Sequence, residues 1–405
     1  MAFIQISSSN PEFSFFIKKN PSSPMQIKPL RKGTVFGYYS KNNTKEYNIF
    51  FRDNGDDSSF GDEFSYLNTA QFSSAEFILN ALSLFLSHNL KKQDEKDTDG
   101  FSHSIMINCL EVRSLDFVEY LKKYFDEISF SYEEINHKHI KLTLTSEKSL
   151  HHLLNNLALI VVFNLFNRFE YIEESLLEKY VNCIKVIDAP YFIRYLFKRF
   201  LPNKKFKLLK ETLEDSKKAE ISLTSGNNMD TRKRFVSNNL SFTRPIVDLG
   251  CGDGAYLPLS KKVSQYIAID KDPTELEKSK LKAQRKEFDN IKFLTSLKDL
   301  KVDEPFDLIF IEVMEHMPMK EAKSIITEIL KLKNLKTLLI TTPNSSFNKN
   351  YAIEGFRHDD HDFELNEKEF KKFCETHFSE FEYKIVDIGD KVDGVAPTQG
   401  VVLCK

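Results

Sequence analysis

The chain contains no tryptophan, and its five cysteines, at positions 109, 183, 251, 374 and 404, are scattered, odd in number and never spaced as CxxC. That pattern excludes a disulfide framework and a structural zinc ribbon and fits free thiols in a reducing cytosol, so a cytoplasmic protein is expected. The missing tryptophan beside 36 phenylalanines reads as base-composition bias, not function. No run of eighteen apolar residues occurs, and the most apolar stretch, 157–163, is too short to span a bilayer, so no membrane partner is expected. The opening Met1-Ala2-Phe3-Ile4-Gln5-Ile6 reads as a strand and lacks the charged and apolar regions of a signal peptide. An excess of one charge is missing as well. Lysine and arginine total 57 against 59 aspartates and glutamates. No global basic field announces nucleic acid, although a local basic groove remains open. No internal repeat of 20–50 residues is present.

The length of 405 residues suggests two or three domains. Residues 1–90 mix short strands with turns and close on a helix over 73–86, with Ser73 and Ser74 as N-caps and Phe77, Ala81, Leu84 and Phe85 on one face. The polar run 91–100 reads as an exposed linker or loop. Between 100 and 205 a strand at 140–145 precedes helices near 148–166, 173–183 and 190–200. The last is basic and aromatic. It is either an RNA surface or, the favoured reading, a helix with one core face and snorkelling lysines. A lysine- and glutamate-rich connecting helix is expected over 203–222. From 226 strands at 245–249, 266–270, 306–311 and 336–341 alternate with helices, which implies a doubly wound parallel sheet. The expected fold is therefore α/β: an α+β region at 1–205, divisible into lobes 1–90 and 100–205, a linker at 206–225, and a Rossmann-like domain at 226–405.

An apolar strand runs into Asp248-Leu249-Gly250-Cys251-Gly252-Asp253-Gly254. Gly250, Gly252 and Gly254 remove Cβ atoms where the backbone turns tightly and meets a ligand. Asp270 ends the next strand, 22 residues after Asp248, where a carboxylate accepts both hydroxyls of a ribose. GxGxG spacing behind an acid argues against NAD. It resembles the class I methyltransferases that use S-adenosylmethionine, in which the acid before the first glycine helps hold the methionine amino group.

A second cluster follows the strand at 306–311. Spacing of three and four places Glu312, Glu315 and His316 on one helical surface, at the same sheet edge as the glycine turn. Two oxygen donors and one nitrogen suit Mn²⁺, or Mg²⁺ or Co²⁺, better than zinc. The alternative is an ordinary charged helix surface. That alternative weakens at Phe356-Arg357-His358-Asp359-Asp360-His361-Asp362-Phe363-Glu364, a second ligand-rich cluster at the same edge.

Taken together, Glu312-x-x-Glu315-His316, Thr341-Thr342-Pro343-Asn344 with Phe347-Asn348, the 356–364 cluster and Pro397-Thr398-Gln399 resemble the Hua-enhancer RNA 3′-terminal ribose 2′-O-methyltransferases over about 230–405. The resemblance implies a Mg²⁺- or Mn²⁺-dependent enzyme with Glu312, Glu315, His316 and His361 as metal ligands, and Thr342, Asn344 and Arg357 as substrate contacts. Residues 1–200 are similar, more loosely, to the amino-terminal half of the bacterial members. The matches are the opening strand with Pro11, the 64–86 stretch beginning Phe64-Ser65-Tyr66-Leu67-Asn68, and the helices of 149–200. In bacteria that half works with a polynucleotide kinase-phosphatase-ligase in RNA repair and activates the ligase, and methylation protects the broken 3′ end from a second cut. Two positions depart from the family pattern: Leu365 replaces a usual tryptophan and Phe347 a usual tyrosine.

The chemistry this implies is methyl transfer from S-adenosylmethionine to the 2′-OH of an RNA 3′ end that carries a free 2′,3′-diol. A metal lowers the pKa of that hydroxyl and orients it. His358 is either a general base beside the metal or a residue that orients a ligand; Arg357 pairs with a phosphate or forms a structural ion pair. A small-molecule methyltransferase and a non-catalytic ligase-activating scaffold compete with this reading.

Overall fold

Strand β1 (Phe3–Ser8) buries Ile4 and Ile6 and leaves their neighbours half-buried, the period-two pattern of a strand covered on one face. It lies at the centre of a seven-stranded sheet with β2 (Gln26–Leu30), β3 (Gly33–Ser40), β4 (Asn43–Asp53), β5 (His103–Glu111), β6 (Ser129–Asn136) and β7 (His139–Ser146), in the order β2-β3-β4-β1-β5-β7-β6. Every pairing in it is antiparallel. This computed structural model describes residues 3–30, 33–41, 43–53, 75–164, 174–199 and 201–405. The chain divides into two compact units, Met1–Lys218 and Ala219–Lys405.

The first sheet joins both lobes suggested by sequence, because β1 pairs with β4 on one side and β5 on the other. Helices Ala75–Lys91 and Leu150–Phe163 pack together. The capping serines 73 and 74, the 64–68 stretch, Met1, Ala2 and Phe200 lie outside the described residues. The polar run 91–100 is the largely exposed loop the sequence suggests, pinned at one buried residue. Asp97 is buried and accepts the backbone N–H groups of Leu150 and His151, at 2.8 Å each. Those donors have no partner within their own helix, and the loop supplies one. Helix Tyr191–Arg199 departs from expectation: Arg194 and Lys198 are buried rather than snorkelling or facing RNA. The Arg194 guanidinium donates to Asp188 at 2.8 Å and to the carbonyls of Ala189, Leu213 and Asp215. A buried charge requires such partners.

In the place of the connecting helix expected over 203–222, helix Asn203–Glu214 buries Phe206, Leu209 and Leu213. The second unit then begins with β8 (Ile221–Ser222). It continues through β9 (Ile246–Leu249), β10 (Tyr266–Ile269), β11 (Ile291–Leu294), β12 (Phe306–Ile311), β13 (Leu335–Pro343), β14 (Glu382–Ile388), β15 (Lys391–Val392) and β16 (Thr398–Cys404). The main sheet runs β11-β10-β9-β12-β13-β16-β14, and β8 pairs with β15. The first five strands are parallel; β16 is antiparallel to both neighbours. Alternate residues feed two cores. Val247, Leu308 and Phe310 meet helices Met319–Leu330 and Glu367–Phe378 on one face. Ile246, Ile309 and Ile311 meet Asn228–Asn239 and Pro273–Arg285 on the other. Strand β9 connects to β10 on one side and borders β12 on the other, so the strand order reverses there, and the crevice at the carboxyl ends is the place for a ligand. All five cysteines are free. Among the described residues no helix is long and apolar enough to cross a membrane.

Candidate active site

The glycine turn leaves β9 with Gly250 at φ +76°, where an added Cβ would stand 2.6 Å from the Val313 side chain. Gly252, at φ +48°, has open space where its Cβ would lie, and its N–H donates to Asp270 Oδ2 at 2.8 Å. Asp270 Oδ1 accepts the N–H of Asp272 at 2.9 Å. Gly250, Gly252, Asp270, Asp272, Glu312 and His316 all border a cleft of about 520 Å³. Gly254 packs beside Leu257, away from this wall. Asp248 is set behind the cleft. It is buried and accepts the Tyr266 hydroxyl at 2.7 Å. Burial pushes its carboxyl up to about 7, with Asp270 adding to the rise and Tyr266 opposing it.

The second cluster is not an α-helix. Glu312 leaves β12 at φ +54°, and Met314–His316 form a single 3₁₀ turn before Pro318 caps the next helix. Three residues are too few for an α-helical surface. The left-handed Glu312 is a backbone strain of the kind that gathers at functional sites. The turn places Glu315 inside and His316 at the surface. Ligand atoms of Glu315, His316 and His361 lie within 4.8 Å of one another. Glu312 is not in this group. Its Oε2 pairs with Arg232 Nη1 at 2.7 Å and its Oε1 accepts the Thr341 hydroxyl at 2.9 Å.

Glu315 Oε2 accepts the Thr342 hydroxyl at 3.2 Å, while Oε1 is buried without a hydrogen-bond partner among the described residues. Burial, and then the neighbouring Glu312, hold this carboxyl well above its ordinary range. An orphaned buried oxygen beside two imidazoles is a donor set that fits a divalent cation. A second cavity of about 420 Å³ adjoins it, lined among others by Arg232, Arg357, His358 and His361. Glu312, His316 and Asp360 border both cavities.

His361 is aimed by Glu364, whose Oε1 is 2.6 Å from His361 Nδ1, leaving Nε2 as the ring's other donor atom. Burial lowers the His361 pKa; Glu364 opposes that effect, and His316 and His358 add to it. His316 Nδ1 is 3.1 Å from Asp360. The His358 ring centroid is 5.2 Å from that of His361. Arg357 borders the second cavity, but Nε donates to Asn348 and Nη2 to the Asn344 carbonyl, both at 2.7 Å. Of the expected substrate contacts, Thr342 and Asn344 are buried away from both cavities. Thr342 holds Glu315, and the Asn344 side chain caps Ser346 and donates to Glu367. Leu365 packs in the core, and its carbonyl accepts Gln399 at 2.7 Å, which joins the 341–348, 356–365 and 397–399 segments. Arg232, Thr341, Asp360 and Glu364 were not among the residues the motifs single out as ligands. Thr341, Asp360 and Glu364 stand inside the motifs quoted above, whereas nothing local marks Arg232.

Residues 3–218 match the family model of the Hen1 N-terminal domain, and 243–387 match that of a methyltransferase domain. A small RNA 2′-O-methyltransferase of Caenorhabditis elegans is 33% identical over 82 residues, 20% of this chain and 19% of that protein. One from Xenopus tropicalis is 29% identical over 172 residues, 38% of this chain and 47% of that protein. The chain thus spans less than half the length of these curated relatives. A chain in the structure of the Pnkp1/Rnl/Hen1 RNA repair complex is 25% identical, with a TM-score of 0.82 and full coverage of both chains.

Proposed function

The chain belongs to the Hen1 family, and from that premise we propose that it methylates the 2′ oxygen of the 3′-terminal nucleotide of RNA, with S-adenosylmethionine as donor and a divalent metal, Mn²⁺ or Mg²⁺, at the acceptor. The observation that carries the metal is the orphaned Glu315 Oε1 beside His316 and His361. The observation that carries the donor is the cleft between the glycine turn and Asp270. Asp270 retains acceptor capacity beyond its two backbone bonds, and a carboxylate with about four lone-pair sites can also take ribose hydroxyls. Glu315, His316 and His361 would hold the metal, with Glu312 as the fourth expected ligand. The ion would supply Lewis acidity that makes a ribose hydroxyl a competent nucleophile. Thr342 and Glu364 keep Glu315 and His361 in place. His358, on the wall of the second cavity, is placed either to take the hydroxyl proton or to orient its neighbours.

The acceptor is RNA with a free 2′,3′-diol, and the first unit docks on a polynucleotide kinase-phosphatase-ligase, as the full-length likeness to a chain of an RNA repair complex supports. The decisive experiment is a methyl-transfer assay on a short RNA with a diol end. Activity with Mn²⁺ and none with chelator, none on a 2′-deoxy end and little on a 3′-phosphate end are expected. Chelator-resistant activity would remove the metal from the reading, equal activity on a deoxy end would remove the 2′ oxygen, and no activity on any RNA end would favour a small-molecule acceptor.

A further inference from the structure

Arg232 lies on helix Asn228–Asn239, about 80 residues before its partner Glu312, and its guanidinium meets Oε2 at 2.7 Å. Both side chains are largely shielded, at 16% and 17% exposed. Glu312 therefore stands outside the group formed by Glu315, His316 and His361, although it borders the same cavity. A second carboxylate beside Glu315 would be repelled by it unless a positive charge stood between or beside them. Arg232 supplies that charge on one side. A divalent ion would supply it on the other.

We propose that Arg232 is a positioning residue that competes with the metal for Glu312. In the metal-free protein the guanidinium holds Glu312 and keeps the carboxylate pair from repelling. In the loaded protein Glu312 turns to the ion. The released guanidinium then faces the cavity it already lines with Arg357 and His358, where it adds positive charge for a phosphate of the acceptor strand. This inference rests on the metal reading above. It adds that metal binding and acceptor charge are linked through one side chain.

The test is Mn²⁺ binding to the full chain, by calorimetry and by loss of the free-ion electron paramagnetic resonance signal, with no RNA or methyl donor present. Arg232→Met removes the competitor and should bind Mn²⁺ about tenfold tighter than wild type, a shift of about 1.4 kcal/mol. Without metal it should unfold at a lower temperature than wild type, and saturating Mn²⁺ should narrow that difference. Arg232→Lys keeps a cation on a shorter, single-point donor and should fall between the two. It also keeps the proposal testable if the methionine variant does not fold. Unchanged or weaker Mn²⁺ affinity in both variants would overturn the competition and make Arg232 a fixed partner of Glu312. Absence of Mn²⁺ binding by wild type would sink the metal reading itself, and this proposal with it.

Discussion

Replacing Glu364 with glutamine changes one atom, and the structure makes its consequences specific. The side chain is fully shielded from solvent. Its Oε1 lies 2.6 Å from His361 Nδ1 and accepts the Arg357 backbone N–H at 2.7 Å, while Oε2 accepts Asn348 Nδ2 at 2.6 Å. Three donors thus converge on two acceptors, and glutamine offers only one. With its oxygen toward His361, the new NH₂ faces the Asn348 NH₂. Asn348 cannot flip to help, because its Oδ1 accepts Arg357 Nε at 2.7 Å and its Nδ2 donates to the Gly355 carbonyl at 2.9 Å. With the amide reversed, the NH₂ faces His361 Nδ1. That forces the ring proton onto Nε2, the atom needed for a metal. Either orientation leaves a buried donor opposed, and losing a hydrogen bond to a charged group costs about 1.5–3 kcal/mol. Loss of a group that orients a ligand typically weakens metal affinity 10- to 100-fold. Glu364→Gln should therefore lower the urea midpoint of the second unit and weaken Mn²⁺ binding by at least tenfold in calorimetry. A variant with wild-type Mn²⁺ affinity and an unchanged midpoint would show that Glu364 neither aims His361 nor supports the loop.

Three further outcomes are expected. Asp270→Ala removes the acceptor of Gly252 N–H together with the proposed ribose contact, so calorimetric S-adenosylmethionine affinity should fall about tenfold or more; unchanged affinity would take Asp270 out of the donor site. Asp248 has its folded pKa raised from 3.8 to about 7, so its contribution to stability is fully present below pH 4 and is lost as pH rises through 7. Without bound donor, wild type should therefore lose stability relative to Asp248→Asn between about pH 4 and 7; denaturation curves that stay parallel across that window would refute the buried-acid assignment. A fragment of residues 219–405 should fold alone, because β8 pairs with β15 and Thr224 donates to Asp390 inside that unit. It should also methylate RNA; a folded but inert fragment under saturating metal and donor would mean the first unit completes the site.

The parallel sheet was legible because its strands are short apolar runs and its first turn is glycine-rich, both of which are local properties of the chain. Strands β11, β14 and β16 were not read from the sequence. β11 and β14 lie at opposite edges of the sheet and bury few side chains, so their periodicity is weak. Apolar β16 is buried on both faces and so lacks the alternation that marks a strand. The motifs named Glu315, His316 and His361, and the fold brings their ligand atoms within 4.8 Å. No local pattern gave the 3₁₀ turn, since spacing by three and four is equally compatible with a helix until the left-handed Glu312 and Pro318 leave no room for one.

By itself, then, the sequence determined the α/β class of the second unit, the glycine turn and the chemical types gathered at its carboxyl edge. These follow from backbone preferences and from periods of a few residues. Only the tertiary structure decided that Glu312 faces Arg232, that Thr342 stands behind Glu315, that Glu364 aims His361, and that Arg194 is buried among carbonyls. Most of these pairings join distant parts of the chain. A charge or hydroxyl is free to serve any of several partners until packing removes water and leaves one within hydrogen-bonding reach, and that selection is a property of the folded interior.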